Sequence, residues 1–139
     1  MTERERRWQP VQQSGDMPAP AGAYSPAARA GDFVFVSGQV PKDPATGNLA
    51  GDDVESQTRQ VVRNVERALV SAGASLADVV SVTVYLADID DWGKFNAVYK
   101  EVMPQPYPTR TALGASLRGI LVEMSAIAYV GGGLGGGGR

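Results

Sequence analysis

The chain has 139 residues, 43% apolar and 20% charged, with a net charge of −2, which describes one soluble globular domain. It contains no cysteine and no histidine, so disulfides, thiolate nucleophiles, zinc–sulfur sites and imidazole bases are excluded. Basic residues do not cluster beyond the first few positions, so strong binding to nucleic acid is not expected. No apolar run approaches the roughly 20 residues of a membrane span.

Chemistry must then come from carboxylates, hydroxyls, arginine, backbone groups or bound water. The first ten residues, MTERERRWQP, are charged and lead into no apolar region. No secretory signal is read there, and a cytoplasmic location is the default expectation.

In chain order, Met1–Arg7 reads as frayed or partly helical and Trp8–Gln13 as a first strand. Ser14–Gly22 is a Pro/Gly-rich loop, and Ala23–Ala27 is short and extended, with Tyr24 its one large side chain. Gly31–Asp32 is a turn. Phe33–Val40 (FVFVSGQV) is a strand rich in β-branched and aromatic residues. Phe33, Phe35 and Ser37 share one face, Val34 and Val36 the other. Gly38 interrupts it: a bulge, a close approach by a ligand or another backbone, or a simple packing glycine.

Pro41–Gly51 is turn-rich. Asp52–Ala72 is a long helix, capped by Asp52 or Asp53, with Val54, Val61, Val62, Val65, Leu69 and Ala72 on one apolar stripe. Gly73 ends it. Arg59, Arg63 and Arg67 form a solvated face. Val79–Ala87 (VVSVTVYLA) is the strongest strand. A second helix runs from Asp90–Asp91 to Val102, with Trp92, Phe95, Tyr99 and Val102 on one stripe. Asn96 lies beside that stripe, facing solvent or reaching a ligand or loop.

Pro104, Pro106 and Pro108 keep the next segment extended until strand begins after Pro108. Thr109–Ser116 and Ile120–Val130 read as neighbouring strands joined as a hairpin through Leu117–Arg118–Gly119. Arg110 opens the first of them, on a face with Ala112, Gly114 and Ser116. Small neighbours leave space around its guanidinium, which suits a small planar anion; the alternative is a solvated strand-end charge. The tail from Gly131 cannot form a core. Residues 1–17 are thus an extension, 18–130 the domain and 131–139 a flexible tail.

This order gives an α+β two-layer sandwich, a mixed five- to six-stranded sheet with two helices on one face. Alternate strand residues cannot all face two helices, so the other face is also apolar and predicts self-association.

The chain resembles the RidA family (also called YjgF, reactive intermediate deaminase). The resemblance runs over about residues 18–130. It is carried by Gly22–Ala23–Tyr24–Ser25–Pro26–Ala27 against the family's GPYSQA, and by Val36–Ser37–Gly38–Gln39–Val40–Pro41. Further matches are Asp43–Pro44–Ala45–Thr46–Gly47, Gln57 and Asn64 in the long helix, Phe95–Asn96–Ala97–Val98–Tyr99, Pro108–Thr109–Arg110–Thr111, and Val122–Glu123–Met124–Ser125–Ala126–Ile127–Ala128. It implies a chorismate-mutase-like fold assembled as a homotrimer, with small-molecule sites in clefts between subunits. It also implies hydrolysis of reactive enamine and imine carboxylates to 2-oxo acids and ammonia, without cofactor or metal; the charge pattern and hydropathy above give no nucleic-acid or membrane partner as the expectation.

By that resemblance Arg110 grips the substrate carboxylate, Tyr24 closes one wall, Ser37 and Gly38 offer backbone groups, and Asn96 supports the cleft. Two departures stand out. The family's VEIEAIA reads VEMSAIA here, which puts Ser125 in place of a glutamate as the group that orients water; Glu123, roughly 7 Å along the strand, is not an obvious substitute. Ala112 stands where the family often has cysteine. The alternative expectation is a non-catalytic trimer of the same fold that binds a 2-oxo acid or similar metabolite. A nuclease role is the least favoured.

Overall fold

The structure is a computed structural model describing residues 6–12, 17 and 19–132. The readings for the first five residues, for most of the stretch 13–18 and for the tail beyond 132 fall outside it. Six strands form one sheet: β1 (Gln9–Pro10), β2 (Ala27–Ala30), β3 (Phe33–Gln39), β4 (Val79–Leu86), β5 (Thr109–Gly114) and β6 (Val122–Tyr129). Their spatial order is β1-β2-β3-β6-β4-β5. Only β4 and β5 run parallel. Two helices, α1 (Val54–Ser71) and α2 (Trp92–Val102), cover one face.

Both ends of α1 are set by local chemistry. Asp53 is the N-cap, and its carboxylate accepts a hydrogen bond from Ser56 N at 2.6 Å. That bond holds the Asp53 carboxyl below its usual range. At the other end Gly73 takes φ +84°; its N–H donates to Val70 O, and Ala74 N donates to Leu69 O. This pattern closes a helix on a left-handed residue, which glycine adopts without a Cβ penalty.

The core lies between helices and sheet. Val34 and Val36 of β3, Val82, Val84 and Leu86 of β4, and Val122, Met124, Ala126 and Ala128 of β6 are buried against Val61, Val65 and Leu69 of α1 and Phe95 and Tyr99 of α2. Each such valine or leucine contributes about 1.5–3 kcal/mol by leaving water. The opposite face carries Phe33 and Phe35, 43% and 44% exposed, with Tyr129 open beside them and Leu113 open at the far edge strand. The Phe33 ring lies 5.2 Å from that of Tyr129 and 6.5 Å from that of Phe35.

The final hairpin reading is corrected. β5 and β6 are not neighbours, because β4 lies between them. β6 buries every second side chain almost completely, which calls for neighbours on both sides and a central place. β5 turns only Arg110 and Ala112 toward the helices and follows a proline, which suits an edge. The connection is longer than three residues, spanning 115–121, and passes over the end of β4. Ala115 N donates to Leu86 O at 2.9 Å, and Ala87 N donates to Leu121 O at 3.0 Å.

Four polar residues inside α1, namely Gln57, Thr58, Gln60 and Asn64, are buried. Thr58 Oγ1 donates back to Val54 O. Gln57 and Asn64 fasten loops, and Gln60 braces Asn64. Gln57 Nε2 donates to Gly51 O, and Gln57 Oε1 accepts from Leu121 N. Asn64 Nδ2 donates to Val40 O and Lys42 O, both at 2.9 Å, and Asn64 Oδ1 accepts from Gln60 Nε2. Asn64→Ala is expected to lower unfolding free energy by about 2–4 kcal/mol, since buried partners then lose their hydrogen bonds. Urea denaturation measures this; a change below about 0.5 kcal/mol would show that the loop is held elsewhere.

Candidate functional site

Arg110 pairs in register with Val82, a core residue, so its side chain runs onto the helix-covered face. There α2 meets it with side chains one turn apart. Asn96 Oδ1 accepts from Arg110 Nη1 at 2.8 Å. The guanidinium carbon stands 4.7 Å from the Tyr99 ring centroid, 5.5 Å from that of Trp92 and 5.7 Å from that of Phe95. Phe95 and Tyr99 are buried, while Trp92 is 43% exposed.

Among the described residues no carboxylate pairs with Arg110. A half-buried cation whose one side-chain acceptor is neutral keeps an unbalanced charge and favours an incoming anion. Its surroundings include a cavity of about 290 Å³ lined by Asn96, Tyr99, Lys100, Tyr107, Pro108 and Arg110. Ala112 follows on the same face and packs against the core. It leaves room and adds no polar group.

The second cluster is built around the interruption in β3. Val36 pairs with Ala126 and Gln39 with Met124, so Ser37 and Gly38 together oppose Ser125 alone. This two-against-one arrangement is a β-bulge. The Glu123 carboxylate lies against Gly38, where any Cβ would run into it. Gly38 therefore marks both a bulge and a close approach, and what approaches is a carboxylate.

Tyr24, Gly38, Lys42, Ser116, Arg118 and Glu123 are among the residues lining a larger cavity of about 660 Å³. Half-exposed Tyr24 accepts a hydrogen bond at its hydroxyl from Ala21 N. Ser37 is committed internally: its Oγ donates to Ser25 O at 2.6 Å, its N–H donates to Pro26 O, and its carbonyl accepts from Gln39 Nε2. Ser37 thus anchors the loop that carries Tyr24, and Gly38 is the member of the pair that faces the cavity.

The sequence-predicted residues fall into two groups. Arg110, Asn96 and Ala112 lie on the helix-covered side. Ser125 pairs with Thr83 on the opposite side, with Ser37, Gly38 and Glu123. Within one chain Arg110 and Ser125 do not converge, because successive strand residues point to opposite faces. Ser125 does not line the cavity that Glu123 lines. Glu123 was weighed in the sequence and set aside in favour of Ser125, and Arg118 was given no site role. Gly38 was the available signal, but its neighbour could not be named while β6 was paired with β5.

Among the described residues no three His, Cys, Asp or Glu side chains form a metal-binding group, and no helix is long and apolar enough to cross a membrane. The family model described as Endoribonuclease L-PSP matches residues 14–130. This chain belongs to the RidA/YjgF family. It is 47% identical to a RutC family protein of Pyrococcus abyssi over 114 residues, covering 81% of this chain and 90% of that protein. Among solved structures it is similar to RidA of an Antarctic Psychrobacter, with a TM-score of 0.83 and 35% identity over 88% of this chain and 100% of that one. It is also similar to E. coli TdcF with bound serine, with a TM-score of 0.80 and 31% identity over 87% of this chain and 98% of that one. RidA-family membership and the two-helix, six-stranded sandwich therefore stand together.

Proposed function

We propose that this protein hydrolyses small, reactive enamine and imine carboxylates to 2-oxo acids and ammonia, in clefts between the subunits of a homotrimer. The observation that carries the reading is Arg110: a half-buried guanidinium, hydrogen-bonded to the neutral Asn96, with no carboxylate partner among the described residues and a cavity beside it. Its planar fork suits bidentate capture of a carboxylate. The second cluster, on the other side of the sheet, supplies Glu123, Tyr24 and Gly38. Joining the Arg110 cluster of one subunit to the Glu123 cluster of the next completes a site that one chain holds in halves. The open Phe33, Phe35 and Tyr129 face supports such self-association.

The chemistry needs little besides positioning, because a protonated C=N carbon is already electrophilic. An enamine first takes a proton at its β-carbon and becomes the iminium. Arg110 holds the carboxylate. Water adds through oxygen to C2 while its proton passes to the Glu123 carboxylate and the C=N π pair moves to nitrogen. Glu123 then returns the proton to nitrogen, the C–N bond breaks with its electron pair on nitrogen, the hydroxyl proton passes to Glu123 and from there to the departing ammonia as ammonium, and a 2-oxo acid is left. Glu123 takes the role first assigned to Ser125, since a carboxylate accepts a proton near neutral pH and a serine hydroxyl does not.

A second reading, a non-catalytic trimer that binds a small metabolite, draws support from TdcF, a relative whose structure contains bound serine. One experiment separates the two. An amino-acid oxidase generates 2-iminobutyrate in the presence of semicarbazide, and the protein is expected to suppress the trapped semicarbazone. Sedimentation of the same preparation is expected to give about three times the 14.6 kDa chain mass. No suppression together with tight 2-oxobutyrate binding would favour the second reading. A monomer would remove the shared cleft.

A further inference from the structure

We infer that the Tyr99 hydroxyl is a second hydrogen-bond donor, beside Arg110, to the carboxylate of a ligand held between α2 and the segment leading into β5. The inference rests on the reading of Arg110 as a carboxylate clamp. Tyr99 is 3% exposed, and of the three rings around the guanidinium it is the nearest. It also lines the 290 Å³ cavity shared with Asn96, Lys100, Tyr107 and Arg110.

Two of the neighbouring polar groups, Asn96 Oδ1 and the Tyr107 hydroxyl, are already committed. Asn96 Oδ1 accepts from Arg110. The Tyr107 hydroxyl donates to Lys100 O and accepts from Gln105 Nε2. The Tyr99 hydroxyl has no partner among the described residues. Buried polar atoms are paired in the great majority of folded proteins, so an unpaired phenol beside a guanidinium without a carboxylate among the described residues points to one shared partner. That partner accepts hydrogen bonds and carries negative charge, as a carboxylate does.

The phenol is suited to donate. Burial pushes its ionisation above the ordinary tyrosine range, against the opposing pull of Arg110. It therefore keeps its proton near neutral pH, where a phenolate would repel the ligand. Spacing on α2 allows joint action: Asn96 and Tyr99 are three residues apart, and Phe95 and Tyr99 four, so all three face Arg110 from adjacent turns.

The test compares wild type, Tyr99→Phe and Arg110→Ala by calorimetric titration with 2-oxobutyrate, alongside thermal melting and sedimentation. Tyr99→Phe keeps the ring against Arg110 and removes only the hydroxyl. It is expected to bind 2-oxobutyrate about tenfold more weakly, the scale of one hydrogen bond to a charged group, with an unchanged or higher Tm and an unchanged assembly. Unchanged affinity would overturn the assignment, as would a loss that appears only with a lower Tm or a disrupted assembly. If Arg110→Ala abolishes binding while Tyr99→Phe does not weaken it, the Tyr99 inference alone fails. If Arg110→Ala also binds normally, the clamp itself is wrong.

Discussion

Arg110→Ala is expected to weaken 2-oxobutyrate binding by about 2–5 kcal/mol, the cost of removing one member of a desolvated charge pair. That corresponds to roughly thirtyfold or more in Kd. Deaminase activity should fall at least as far, because a substrate not held by its carboxylate does not present C2 to water. Folding should change little. The guanidinium has no ion-pair partner to lose among the described residues, and the aromatic residues around it have their own places in the core or on α2. Arg110→Lys is expected to recover only part of the affinity, since an ammonium cannot offer the planar fork. Calorimetry and a urea melt on the same samples check both halves. Undiminished affinity in Arg110→Ala would return Arg110 to a solvated strand-end charge.

The choice of Arg110 as the anion grip rested on the family resemblance, but its place at a strand start was legible because the signal was local: three prolines, then small residues on alternate positions. The helices were legible for the same reason. Val61, Val65 and Leu69 repeat at helical spacing, and Asp53 and Gly73 carry recognisable end chemistry. The exposed aromatic face of β3 followed from strict alternation. Strand order was not legible. Whether β6 pairs with β5 or passes beyond β4 depends on how deeply its inward residues are buried, and that is a property of the assembled sheet. The site suffered from this directly. With β6 assigned beside β5, nothing brought Glu123 to Gly38, and Glu123 was set aside in favour of the more conspicuous departure at Ser125. Gln57 and Asn64 were named only as family matches; their burial, and that of Gln60, escaped for a related reason, since a polar residue on a helix reads as solvent-facing until its partners are known.

Exchanging Glu123 and Ser125 as the water-activating group carries the other large expected effect. Glu123→Gln preserves shape and removes the base, so kcat for imine hydrolysis should fall by about 10²–10⁴, while 2-oxobutyrate still binds through Arg110. Ser125→Ala should stay within about twofold of wild type, as an uninvolved surface hydroxyl does. The geometry gives the reason. Glu123 lies over Gly38 and lines the cavity with Tyr24, whereas Ser125 lies across the bulge from Ser37 and Gly38 beside Thr83 and lines none of it. Stability should not follow activity in Glu123→Gln, because no ion pair holds Glu123 among the described residues. The reverse pattern, with Ser125→Ala inactive and Glu123→Gln near wild type, would mean that the hydroxyl orients the water after all. If both variants lose activity together, the water is held between the two strands' side chains, and neither residue alone is the base.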